Sequence, residues 1–188
     1  MSNETTLDMR TGLPDALRIL LAEYPRDLWQ AHQNFDGLVR FWMERHLMFR
    51  QALARLQSDA EAALDAKADP MAYRRNTQRL AGFFLNELHG HHQIEDVHYF
   101  PKLTKMEPRL DHGFELLDGD HKMLDGYLND LADKTNDMLR ANAADFIDTT
   151  ATLRDTLVPF ERFLDRHLID EEDLIVPVLL RDGSQELM

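Results

Sequence analysis

Apolar residues recur at three- and four-residue intervals over long windows, and alternating β-branched runs are missing, so the pattern predicts an all-α chain. Leu13 to Tyr24 reads as a short helix, with Pro14 suited to its first turn and Pro25 ending it. Longer stripes follow. One runs from about Asp27 into the fifties or sixties, through Leu28, His32, Phe35, Val39, Trp42, His46, Phe49 and Leu53. The next, from about Met71 to Met106, carries Leu80, Phe84, Leu88, His91, Glu95 and His98. A third, from about Asp111 to Leu139, carries Phe114, Leu117, His121, Leu124, Leu128 and Leu131. The last, from about Ala144 to Arg181, carries Leu153, Leu157, Phe160, Leu164, His167, Glu171 and Leu174.

Breaker residues at 65–70, 107–109 and 142–145 separate these stripes. Connections that short make consecutive helices antiparallel neighbours, which predicts an up-down-up-down four-helix bundle. The bundle spans residues 27–181, after an extension, 1–26, that carries the short helix, and before a tail, 182–188. Pro159 falls inside the last stripe and should kink that helix or mark its start.

Composition narrows the chemistry. The chain has 188 residues, no cysteine and 9 histidines, so thiolate metal sites, disulfides and cysteine nucleophiles are excluded while imidazole chemistry is well supplied. Lys plus Arg is 21 against 34 for Asp plus Glu, a formal charge of -13 that repels nucleic acid and anionic lipid as partners. No run of about 18 to 20 apolar residues that could span a membrane occurs. The start, Met1 to Asp8, lacks the basic and apolar parts of a signal peptide, so a cytoplasmic location is expected.

The histidines fall into a repeat. His32 and His121 are each followed by an apolar residue at +3 and then Asp-Gly, while His91 and His167 are each followed by Glu at +4 and Pro at +10. Four residues is about 400° of helix, so His91 and Glu95 share one face about 6 Å apart along the axis, as do His167 and Glu171. Residues equidistant from a turn stand level in an antiparallel pair. His121 and His167 are centred on residue 144 and His91 and His121 on residue 106, both at breakers; His32 and His91 are centred at 61 or 62, a few residues early. The expected core layer is therefore His32, His91, Glu95, His121, His167 and Glu171, a donor set for two metal ions.

The phrase His91-His92-Gln93-Ile94-Glu95-Asp96 with Tyr99-Phe100-Pro101 resembles the second-helix motif of hemerythrin-like, or HHE cation-binding, domains. His167 to Glu172 is similar to the fourth-helix motif, and His32 and His121 match its first and third helices. The resemblance covers about Asp27 to Leu180 and implies a non-haem di-iron centre. Members bind dioxygen, sense or detoxify nitric oxide and oxygen species, handle iron or help to repair iron–sulfur centres. Where the oxygen carriers of invertebrates have a second histidine four residues along the third helix, this chain has Asp125, one histidine fewer. It is closer to bacterial members with two His-x-x-x-Glu motifs.

Two histidines per metal and two bridging glutamates leave open positions for dioxygen, nitric oxide or peroxide. Mixed imidazole and carboxylate donors suit two iron ions first, with manganese or zinc behind. Gas binding leads; an iron donor or cluster-repair factor, and an enzyme consuming peroxide or nitric oxide, are the alternatives. Asp36 and Asp125 read either as extra ligands, as acceptors orienting a histidine, or as solvated acids. His98 lies one turn beyond Glu95, but its counterpart in the repeat is Leu174. His46 is about 21 Å from His32 along one helix, so it is expected near the bundle end, away from the metal, and His92 and His89 are expected on other faces.

Overall fold

The computed structural model describes residues 6–35 and 37–187. Asp36 lies outside the described residues. Among the described residues the chain is helical and without strand: α1 (Ile19–Glu23), α2 (Gly37–Leu64), α3 (Pro70–Ile94), α4 (Phe100–Met106), α5 (Asp111–Arg140) and α6 (Phe146–Asp182). None of these helices is long and apolar enough to cross a membrane. The all-helical bundle predicted from the stripes is the fold.

Local chemistry sets the boundaries. Asp69 Oδ2 accepts from the Ala72 N–H at the start of α3, with Pro70 in the first helical position where its missing N–H costs nothing. Between α5 and α6, Asn142 Oδ1 accepts from the N–H groups of Ala144 and Asp145. Pro159 and Pro177 both lie within α6, which continues through them, so Pro159 does not mark the helix start. The end of α2 closes with Lys67 N–H donating to Ala62 O and Ala66 N–H to Ala63 O, which places Ala66 in the left-handed region at φ 55°.

Two expectations need correction. Leu13 to Tyr24 is not one helix: a 3-10 turn at Asp15–Leu17 is separated from α1 by Arg18, whose ψ of 15° breaks the ladder. The first bundle helix begins at Gly37, not near Asp27. Pro25 is extended, a 3-10 segment follows at Arg26–Ala31, and His32 is again extended at ψ 140°. Side chains hold this path: Trp29 Nε1–H donates to Tyr24 O at 2.7 Å, and Asn34 Nδ2 to Leu180 O at 2.7 Å.

The chain divides into two compact units, residues 1–47, 91–122 and 165–188, and residues 48–90 and 123–164. The second unit is an ordinary apolar interior. Phe84 packs edge-on to both Phe49 and Phe160, Tyr73 edge-on to Phe146, and all five are buried. Arg74 donates to the carbonyls of Met138, Leu139 and Ala141, satisfying the C-terminus of α5. The first unit combines an apolar cluster around Trp29, Trp42, Phe100, Phe114 and Leu179 with nearly all of the buried charge. A Cβ added to Gly113 of α5 would sit 2.8 Å from Leu174 Cδ1 of α6, so the leucine side chain packs directly onto the glycine.

Between α3 and α4 the same helical run widens into a π-turn, Glu95–Tyr99, closed by Phe100 N–H donating to Glu95 O. Pro101 follows immediately and offers no N–H to the carbonyl of Val97. In this wider turn three residues fall short of a full revolution, and His98 points to solvent rather than beneath Glu95.

Two outcomes follow from the fold. Ala66→Gly removes the left-handed penalty of a Cβ and should raise unfolding stability by about 0.5 to 1 kcal/mol in a denaturant titration; a loss would mean the α2 terminus differs in solution. Glu107 is held down to about 2 by hydrogen bonds from Arg109, with burial opposing and Arg181 adding to the effect. A carboxylate depressed on folding stabilises above its unfolded value of about 4.3 and loses that contribution as pH falls toward its folded value. Glu107→Gln should therefore lower the melting temperature at pH 7, and the difference should close between pH 4 and 2; a difference independent of pH would overturn this.

Candidate metal centre

Seven inward-facing donors meet in the first unit. Ligand atoms of His46, His91, Glu95 and Glu171 lie within 4.8 Å of one another, and so do those of His92, His121 and His167. The helical face brings each into place: His46 from α2, His91 and His92 at the end of α3, Glu95 at the start of the π-turn, His121 from α5, and His167 and Glu171 one turn apart on α6.

The carboxylates lie between the rings. Glu95 Oε1 is 2.9 Å from His91 Nε2, and its Oε2 is 3.6 Å from His121 Nε2. Glu171 Oε2 is 3.5 Å from both His46 Nε2 and His167 Nε2, while its Oε1 accepts from Trp42 Nε1–H at 2.6 Å. His46 Nε2 and His91 Nε2 are 3.2 Å apart. The His92 ring stacks on His121 with centroids 4.0 Å apart.

Three of the rings are oriented from behind by an acid. His46 Nδ1–H donates to Glu172 Oε1 at 3.0 Å, His121 Nδ1–H to Asp96 Oδ1 at 2.7 Å, and His167 Nδ1–H to Asp120 Oδ2 at 3.3 Å. Because a carboxylate only accepts, each Nδ1 carries the proton, so in the neutral ring the Nε2 lone pair faces inward. That arrangement raises the basicity of an imidazole and fixes its plane.

The electrostatics describe an interior short of positive charge. Burial, against the pull of Glu171, pushes His91 down to about 3. Burial and the neighbouring imidazoles hold His92 well below its ordinary range, and burial lowers His167. Burial and the adjacent Glu171 push Glu95 well up, so without a cation it keeps its proton. Burial also opposes ionisation of Glu171, but His46 and His91 together hold it well below the carboxylate range. Burial works against charge on His46 as well, and Glu171 and Glu172 outweigh it.

Both oxygens of Glu95, both ring nitrogens of His92, the Nε2 atoms of His121 and His167, and Glu171 Oε2 are buried without a hydrogen-bond partner. Each orphan costs about 1 to 3 kcal/mol, and the donors are neutral imidazole nitrogens and carboxylate oxygens facing one another. That is the chemistry a divalent cation takes up. The residues fit a metal.

A family model for the hemerythrin HHE cation binding domain matches residues 37–179. The chain belongs to the hemerythrin family. It is thus a metal-binding helical bundle, and the match begins at the residue where α2 begins. No curated protein and no solved structure matches the chain.

Of the ligand positions read from the sequence of this hemerythrin-type domain, His91, Glu95, His121, His167 and Glu171 are brought together. His32 belongs to neither donor group. It precedes α2, is half-buried, packs edge-on to Tyr24 and accepts from Asn34 N–H through Nδ1. His46 and His92, expected away from the metal, are buried within the groups. With them the donors are five imidazoles and two carboxylates, so the histidine that appeared to be lacking beside Asp125 is matched in number. Asp125 itself is exposed, with Oδ1 3.7 Å from His89 Nδ1, and His98 is exposed. The acids behind the rings are Asp96, Asp120 and Glu172, none of which the periodic stripes pick out.

Trp42→Phe deletes the N–H that Glu171 Oε1 accepts. Losing a hydrogen bond to a buried charged group should cost about 1.5 to 3 kcal/mol, read by denaturant unfolding of the metal-free chain. A change below about 1 kcal/mol would show that this bond contributes little.

Proposed function

We propose that this hemerythrin-family chain holds two iron ions between His46, His91, His92, His121, His167, Glu95 and Glu171, and binds a diatomic ligand, dioxygen or nitric oxide, beside them. The observation that carries the reading is the set of unpartnered buried nitrogen and oxygen atoms flanking two facing carboxylates.

Glu95 has one oxygen beside a ring of each group and Glu171 Oε2 lies equally far from a ring of each, so both carboxylates would help to hold both ions. The donors divide unequally. His46 and His91 give two nitrogens on one side, and His92, His121 and His167 give three on the other. The side of His46 and His91 therefore offers fewer imidazoles, which favours that side for a small ligand. Iron held there would supply the electrons for reversible gas binding.

The protein's own contribution is enclosure and orientation. Trp42, with Tyr99 packed 4.8 Å from it, stands beside His91, the only one of the seven donors with more than a trace of exposure, at 11%. Access that narrow favours a ligand of a few atoms over a large substrate. The indole N–H on Glu171 and the acids on three rings fix the donors before any ligand arrives, which lowers the reorganisation that binding requires.

Elemental analysis of the full chain, purified without a histidine tag from iron-supplemented cells, should give about two irons per chain. His46→Ala and His92→Ala should each reduce that figure, and His32→Ala should leave it unchanged. A charge-transfer band that disappears on removal of dioxygen, or is replaced under nitric oxide, would establish the ligand. An iron-free protein, or loss of iron in His32→Ala alone, would refute the assignment.

A further inference from the structure

Residues 6–35 lie before the family match, and two of their arginines, Arg10 and Arg26, reach the acids behind the donor histidines. Arg10 is buried at 7% exposure. Its Nη1 donates to Asp120 Oδ1 at 2.8 Å, its Nη2 to Asp120 Oδ2, and its Nε to Asp170 Oδ2 at 2.7 Å. The same Asp120 Oδ2 accepts from His167 Nδ1–H. A guanidinium fork on a carboxylate fixes the plane of that carboxylate, which a lysine point charge cannot do. Arg166 completes the clamp: its Nη1 donates to Thr11 O and its Nη2 to Asp170 Oδ1.

Arg26 repeats the device on the other donor group. Its Nη1 donates to Glu172 Oε2 at 2.9 Å, while Glu172 Oε1 accepts from His46 Nδ1–H. Its Nε and Nη2 bind Asp173 Oδ1 and Ile169 O, and its guanidinium lies 4.7 Å over the Trp29 ring. One arm therefore places a cation behind one ring of each group: arginine, carboxylate, imidazole, metal position. His121, by contrast, is held by Asp96 of the π-turn itself.

We propose that residues 6–35 are a working part of the metal centre, in which Arg10, through Asp120, and Arg26, through Glu172, are positioning residues for His167 and His46 and so control retention of one metal each. The inference rests on the two-metal reading above.

The test uses the full chain loaded with cobalt(II), whose visible absorption reports its ligands, and follows cobalt release to excess chelator. Arg10→Lys keeps a cation between Asp120 and Asp170 but loses the fork, and Arg26→Ala alters a side chain that is 42% exposed. Each should release one of the two cobalt ions about tenfold faster or more, with the other unchanged, and should alter part of the cobalt spectrum. The double variant should accelerate both. Two folded variants that release both ions at the parental rate, with unaltered spectra, would overturn the proposal and leave the metal centre standing. If Arg10→Lys does not fold, Arg26→Ala decides alone, in the same two ways. A parental chain that takes up no cobalt would overturn both readings together.

Discussion

Imidazole nitrogens and carboxylate oxygens that are removed from water need another partner, and in this protein seven side chains with that need share one interior. The surrounding structure can be understood from how it meets the requirement. Where a partner from the protein is available it is an acid behind a ring or an indole N–H on a carboxylate, and the atoms left over point at one another. A cation satisfies what the protein leaves open. The family to which the chain belongs is defined by that property, and the orphaned atoms are its physical expression.

The two compact units show the contrast. In residues 48–90 and 123–164 the helices meet through phenylalanine rings and leucines, and burial alone is enough reason for the contact. In the other unit Arg10, Asp120 and Asp170 are buried as charged groups, a costly choice in a core unless geometry and pairing are good. Asp120 accepts from the outer nitrogen of His167 while Asp170 holds Arg10 in place, so the expense has a use there that it would lack in the apolar unit. Arg10 and His167 hold Asp120 in its charged form although burial opposes it.

Much of this was legible in the order of residues. Apolar stripes and breakers located α3, α5 and α6 to within a few residues but started the first long helix ten residues early, and the paired His-x-x-x-Glu motifs marked four of the seven donors. The internal repeat then both helped and misled. His121 has a partner in the repeat at His32, yet Asn34 and Trp29 tie the chain before Gly37 into a non-helical path, so His32 is not on the bundle helix. His46 stands about 21 Å from His32 along a helix and His92 falls on another face from His91, so with His32 taken as a ligand neither reads as a donor. One signal in the sequence did favour His46: the midpoint of His46 and His91 falls between residues 68 and 69, inside the breaker stretch, a better level match than His32 gives. For His92 there is none, because a residue next to a ligand is a quarter-turn away and turns inward only by the packing of its neighbours. Asp96, Asp120 and Glu172 were illegible for the same reason: each adjoins a donor in sequence but serves a ring on another helix.

The clamp behind His167 also bears on the order of events during synthesis. Arg10 and Asp170 are 160 residues apart along the chain, and Arg10 and Asp120 are 110 apart. Contacts of such separation form late, since closing a long loop has an entropic cost before any contact rewards it. A chain still emerging from the ribosome can build the aromatic interior of α2 and α3, but it has neither His167 nor Glu171 until α6 has been made. The seven donors therefore come together only after α6 has been made, so metal retention becomes a mark that α6 is in place.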